Sequence, residues 1–174
     1  MTTARQERKD RRQRTARPVP RRAVCLVLSW LMAVAVLAGA GGAAAQVVTN
    51  RLTGLALDGF DPVSYFIGPP ASGEGRHEAL HDGAVWRFRN EGNRLAFLAN
   101  PGVYAPRFGG YDAVELARGR LIAGHSQIWL LAGGRLHLFY DERNRADFAA
   151  ATAAILAEAD RRWPGLQRDL PDAQ

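Results

Sequence analysis

The sequence predicts an α+β domain in which a small, mainly antiparallel sheet of hairpins carries a short helix and a long C-terminal helix. Three observations predict it. Asp82-Gly83 separates two alternating runs, and both central residues of a type I′ hairpin turn need positive φ. Ala132-Gly133-Gly134 separates two further runs. In the last third, Phe148, Ala151, Ile155, Ala159 and Trp163 recur at helical spacing and form an apolar stripe.

The elements follow in order. Val47 to Leu57 leads into Asp58-Gly59-Phe60-Asp61-Pro62, a turn-rich knot, and Val63 to Ile67 reads as a short strand. Gly68 to Gly75 is a Gly- and Pro-punctuated loop. Arg76 to His81 and Ala84 to Arg89 form the first hairpin, with Ala84, Trp86 and Phe88 sharing the buried face. Asn90 offers an N-cap for a helix to about Ala99, with Leu95 and Leu98 facing inward, and Asn100-Pro101-Gly102 stops it. Val103 to Gly110 is irregular, and Tyr111 to Ala117 reads as a short helix ending at Gly119. Ser126 to Leu131 and Arg135 to Tyr140 form the second hairpin. Glu142 to Trp163 is the longest helix, ended by Pro164-Gly165, and a polar tail follows. No internal repeat is read after Ala45.

Charge divides the chain. Of 23 basic and 17 acidic residues, residues 1–45 carry nine and two, a charge of +7, and residues 46–174 carry 14 and 15, a charge of −1. The basic pI therefore belongs to the N-terminal extension, and a nucleic-acid groove in the body is not expected. Arg5 to Arg22 is Arg-rich, Ala23 to Leu37 is apolar apart from Ser29, and Ala43-Ala44-Ala45 supplies small residues before Gln46. That order reads as a secretory signal peptide cleaved after Ala45, giving a periplasmic or secreted protein. The alternative is an uncleaved membrane anchor over Ala23 to Ala45. Arg21-Arg22 makes a poor twin-arginine match. Residues 46–166 then form one domain and 167–174 a polar tail. Cys25 is the sole cysteine, so disulfides, thiolate metal ligands and a cysteine nucleophile are excluded from the body.

Several segments together resemble a known family. Leu57 to Phe66, with Asp58-Gly59-Phe60-Asp61-Pro62 at its centre, is similar to the opening motif of small exported YHS-domain proteins. Asp82 to Phe88, Asn93 to Pro101 and Tyr104 to Tyr111 resemble the YHS core and its continuation, and the second hairpin and the final helix complete the match. The likeness covers roughly Leu55 to Leu166. It implies a fold similar to cysteine-bearing metal-binding modules. Members of this group often carry Cys after Gly-Gly-Tyr, and here Asp112 stands there, so a thiolate role does not transfer.

Candidate chemistry is sparse. Asp58 and Asp61 read either as an acid–base or cation-binding pair or as caps of local turns. His77 and His81 lie about 13 Å apart on an extended strand and read as surface groups. His125 and Ser126 are sequence neighbours and do not make a nucleophile–base pair. Phe60, Tyr65, Phe66, Tyr104, Phe108 and Tyr111 either line a small-ligand pocket or fill the core. The leading expectation is a non-enzymatic exported binding domain for a metal ion or small ligand. Its ligand site would be near Asp61, Tyr65 and Tyr111, with Asp112 as a carboxylate ligand for a divalent metal ion. The alternative is a structural or protein–protein interaction module of the cell envelope. An unrecognised hydrolase would need a converging Ser, His and acid.

Overall fold

The computed structural model describes residues 47–170. The signal segment expected at residues 1–45 lies outside the described residues, as do residues 171–174 of the tail. The described elements are α1 (Ser64–Ile67), β1 (Glu74–His81), β2 (Ala84–Phe88), α2 (Glu91–Ala99), α3 (Pro101–Tyr104), α4 (Ala113–Ala117), β3 (His125–Ala132), β4 (Arg135–Phe139) and α5 (Glu142–Arg168). The α+β class holds. The strands form two separate antiparallel sheets of two strands each, β1–β2 and β3–β4. Among the described residues no helix is long and apolar enough to cross a membrane.

The two hairpins belong to two copies of one unit, and this corrects the reading that the body has no repeat. Adding 51 to a residue number in the first half gives its counterpart in the second. Glu74 pairs with Phe88 and His81 with Ala84; His125 pairs with Phe139 and Ala132 with Arg135. Each hairpin has its register shift at the same place, between Glu74 and Glu78 and between His125 and Trp129. Before each hairpin stands a turn of three consecutive left-handed residues. These are Leu57, Asp58 and Gly59, with φ of 52°, 53° and 84°, and Phe108, Gly109 and Gly110, with φ of 56°, 64° and 93°. Bulky residues avoid this region because Cβ crowds the backbone, so Leu57 and Phe108 are strained in both copies.

Glycine is required at one further equivalent pair. A Cβ on Gly73 would lie 2.5 Å from the Arg87 backbone, and one on Gly124 would lie 2.5 Å from Leu138 Cβ. The close approach lets Gly73 N–H donate to Gly59 O and Gly124 N–H donate to Gly110 O, at 2.8 and 2.9 Å. Each hairpin is thereby laid against its own left-handed turn.

After each hairpin a capped helix begins. Asn90 accepts from Asn93 N–H and Asp141 accepts from Asn144 N–H, both at 2.8 Å, which satisfies one free donor of each first turn. The kink at Ala151 (φ −140°, ψ 37°) inside α5 is the counterpart of Asn100 (φ −143°, ψ 61°), where α2 gives way to α3. The 27-residue α5 is thus α2 and α3 repeated and then extended.

Four local expectations are corrected. Val63 to Ile67 is not a strand: the Asp61 carboxylate caps Val63 N–H, and Ser64–Ile67 turns into α1. Leu95 and Leu98 face solvent, because α2 is phased by Asn93 and the fully buried Phe97, one turn apart. Pro101 does not simply stop the chain but opens α3, where its missing N–H is harmless. Pro164-Gly165 does not end α5, which runs on to Arg168.

Two cores result. Tyr65, Trp86, Phe88 and Phe97 pack with Leu136 and Leu138; Phe108, Leu116, Phe139 and Phe148 pack under the far end of α5. The first core draws Leu136, Leu138 and Trp129 from the second copy, with Tyr65 and Trp129 edge to face at 5.3 Å. That shared packing holds the two copies together.

Candidate functional site

Asp61 and Asp112, the two carboxylates singled out from the sequence, are counterparts, and both are completely buried. Asp112 Oδ1 accepts from Val114 N–H at 2.7 Å and more distantly from Glu115 N–H; Oδ2 accepts from Tyr140 N–H and Asn144 Nδ2, both at 2.8 Å. Asp61 repeats the pattern with Val63 N–H, Arg89 N–H and Asn93 Nδ2. Asp112 therefore caps α4, Asp61 holds the turn at Val63 that leads into α1, and each pins the end of its hairpin to the next helix. Their oxygens are already satisfied by neutral donors, which leaves Asp112 poorly placed to ligate a cation. Among the described residues no group of three or more His, Cys, Asp or Glu side chains could hold a metal ion.

Asn144 also donates to Glu115 Oε1 and accepts from Arg118, so the second copy carries a polar cluster that the first lacks. Burial pushes the Glu115 carboxyl up, but bonds from Asn144, Arg120 and Arg118 outweigh it and hold it below the usual carboxylate range.

Tyr65 and Tyr111 are not brought together. Tyr65 lies in the first core, where its hydroxyl donates to Ser126 O at 2.8 Å. Burial, with the charges of Asp58 and Asp61, pushes this phenol well above its ordinary range. Tyr111 packs against Trp163 in the second core. Phe60 and Phe66 pack on the first core and Phe108 lies within the second, so the aromatic set is core and not one pocket lining. His77 faces Glu91 at 3.4 Å and His81 faces Asp82 at 3.4 Å, apart from one another in their contacts.

A different place does bring polar groups together. A cleft of about 110 Å³ opens where the two left-handed turns approach. Asp58 and its counterpart Gly109 both line it, as do His125 and Ser126 from the start of β3. Val47 to Asn50 close one side, and Val48 N–H donates to Gly109 O at 2.8 Å. Pro106 and Leu138 add an apolar wall. The Asp58 carboxylate accepts from Asn50 Nδ2 at 3.0 Å and from Ser126 Oγ at 2.8 Å. Both donors are neutral, so neither supplies a countercharge to the carboxylate.

Ser126 Oγ is bonded to a carboxylate and not to an imidazole, and His125 Nδ1 instead faces Gln127 N–H at 3.4 Å. No imidazole stands on the serine hydroxyl, so the Ser-His-acid arrangement is not assembled here. The cleft was missed in the sequence because it depends on Asp58 and Gly109 being counterparts. The signal that could have found it is the pair of three-residue segments before Asp61 and Asp112, at a fixed spacing. Comparison with protein-family models, with curated proteins and with solved structures finds no match to this chain.

Proposed function

We propose that this chain is an exported, YHS-like, non-enzymatic binding module, and that its ligand is a small cation or a small molecule with a cationic group, seated in the cleft at Asp58. One observation carries the reading. At the middle of the left-handed turn the second copy has Gly109, which bears φ of 64° freely, whereas the first has Asp58 at φ 53°. A strained non-glycine residue where the fold accepts glycine is retained for its side chain, and that side chain is a carboxylate lining a cleft. The volume of about 110 Å³ has room for several water-sized groups, which suits a metal ion with its waters or an amine of a few atoms.

Titration of the purified protein with calcium, zinc and ethanolamine, followed by amide shifts, tests this. Saturable shifts at Asp58, Gly109 and Ser126 with one of the three are expected, and their loss in Asp58→Asn. Absence of saturable shifts with all three, or shifts indifferent to Asp58→Asn, refutes it.

A second reading, an interaction module of the envelope, draws on the exposed apolar side chains of the first copy. Ile67, Leu80, Leu95 and Val103 are all largely open to solvent. A single sedimenting species from an envelope extract, with no co-purifying protein, counts against it.

A further inference from the structure

The two copies share their backbone but not all of their filling. In the first, Phe66 at the end of α1 and Tyr104 at the end of α3 meet edge to face, with ring centroids 5.3 Å apart and planes at 86°. Their counterparts in the second copy are Ala117 and Ile155. The helix kink that shapes this corner is kept at Asn100 and at Ala151. Where two aromatic rings stand in the first copy, the second has a groove of about 450 Å³ with Val114, Ala117, Ala150, Ala151 and Ile155 along it.

The rim of the groove is charged and held in place. Arg118 donates to Glu115 Oε1 at 2.8 Å, to Asn144 Oδ1 at 3.1 Å and to Asp147 Oδ2 at 3.1 Å. Three acceptors hold the guanidinium, which reduces the side-chain ordering needed when a ligand arrives. A fixed guanidinium offers a cation to an aromatic face, and Asp147 offers an acceptor to a hydroxyl.

We propose that this groove binds a free phenolic molecule, one ring in size, in the space that Phe66 and Tyr104 fill in the first copy. A small molecule is favoured over a protein partner because the apolar floor is five aliphatic side chains and its edge is an ion pair. The core of a protein interface is instead depleted of charge and spans several hundred Å². The site is separate from the cleft at Asp58, and either can fail without the other.

The test is a titration of the purified protein with p-cresol, with cyclohexanol and with the peptide Gly-Tyr-Gly, followed by amide and methyl shifts. Saturable shifts at Val114, Ala151 and Ile155 are expected with p-cresol, with cyclohexanol at least tenfold weaker. The double variant A117F/I155Y copies the first half and should weaken p-cresol at least tenfold. The single variant Ile155→Tyr should weaken it too and serves if the double variant does not fold. No saturable shift in the native protein up to the solubility of p-cresol overturns the proposal. So does unchanged affinity in a folded filled variant, equal binding of cyclohexanol, or tenfold tighter binding of the peptide, which would mean a polypeptide partner.

Discussion

Replacing Asp112 by alanine separates a structural carboxylate from a metal ligand. The side chain is fully buried and its oxygens receive Val114 N–H, Tyr140 N–H and Asn144 Nδ2 at 2.7–2.8 Å, with Glu115 N–H at 3.3 Å. Truncation leaves the Val114 and Tyr140 N–H groups without partners, while Asn144 retains Glu115 Oε1. A buried donor left unsatisfied costs about 1–3 kcal/mol, and a lost N-cap about 1 kcal/mol. Water can reach Tyr140, which is exposed, so its share is at the low end. The N-cap and the Val114 donor are one interaction, so the sum is roughly 2–4 kcal/mol, a large part of the about 5–15 kcal/mol that holds a domain folded. At an m-value of about 1.5 kcal/mol/M the urea midpoint falls by roughly 1.3–2.7 M. Asp112→Asn keeps one acceptor but turns an amide donor toward two donors, and should lose about 2 kcal/mol. Urea unfolding followed by tryptophan fluorescence reads all three proteins. A carboxylate waiting for an ion would behave otherwise: its removal would leave the metal-free protein unchanged or more stable, and chelator would lower the native midpoint. A loss below about 1 kcal/mol for Asp112→Ala in chelated buffer would refute the structural reasoning.

Three further outcomes follow from the geometry. His137 is almost wholly buried, and burial, with the charges of Arg107 and Arg135, outweighs the Ala132 backbone and Asp160 and brings its pKa down to about 4. Because the folded value lies below the unfolded one, near 6.5, its contribution is complete above pH 6.5 and is lost as pH falls toward 4, by up to about 3 kcal/mol. His137→Phe should flatten the stability difference between pH 6.5 and 4, and equal acid slopes in the two proteins would count against it. Gly73→Ala and Gly124→Ala should each lose about 1–3 kcal/mol by thermal unfolding, since each new Cβ meets atoms at 2.5 Å; a loss under 0.5 kcal/mol, on the order of a surface change, would show that the hairpins can shift. Phe97→Ala and Phe148→Ala, counterparts at the centres of the two cores, should each lose about 3–5 kcal/mol in urea; a small loss at either would mean that one copy collapses around the gap.

The hairpins, the N-cap at Asn90 and the buried face of Ala84, Trp86 and Phe88 were legible in the sequence because each is a local pattern with a local cause. The phase of α2 was not. Leu95 and Leu98 are the apolar residues, but the helix is turned by Asn93, whose amide is tied to Asp61 from 32 positions away. Val63 to Ile67 looks like a strand by composition, yet one carboxylate capping Val63 N–H is enough to start a helix there. The extent of α5 past Pro164 was likewise hidden, since Trp163 and Leu166 pack on the second core and hold the chain helical across the missing donor. Of the candidate site, the aspartates were found and their role was not. Asp61 and Asp112 are conspicuous in sequence because they carry much of the backbone wiring.

The duplication explains both what was kept and where binding would evolve. Positions identical in the two copies include those whose side chain or lack of one fixes the backbone: Gly59 and Gly110, Asp61 and Asp112, Gly73 and Gly124, Asn93 and Asn144, Phe97 and Phe148. They are scattered along the chain, so the repeat is weak to the eye although the two hairpins share one register. A fold wired twice in the same way has little need of its remaining interior positions to match. They differ at Asp58 against Gly109, Trp86 against His137, and Phe66 and Tyr104 against Ala117 and Ile155. The first difference puts a charge in the cleft, and the last pair opens the groove. If either site binds nothing, its asymmetry is drift in a tolerant scaffold. The two can then be told apart by symmetrising one pair at a time. Asp58→Gly should relieve backbone strain while giving up two side-chain hydrogen bonds, and A117F/I155Y should add buried aromatic area. A protein made symmetric at both, and more stable for it, would show that the departures from symmetry were retained at a cost in stability, as expected of sites kept for binding.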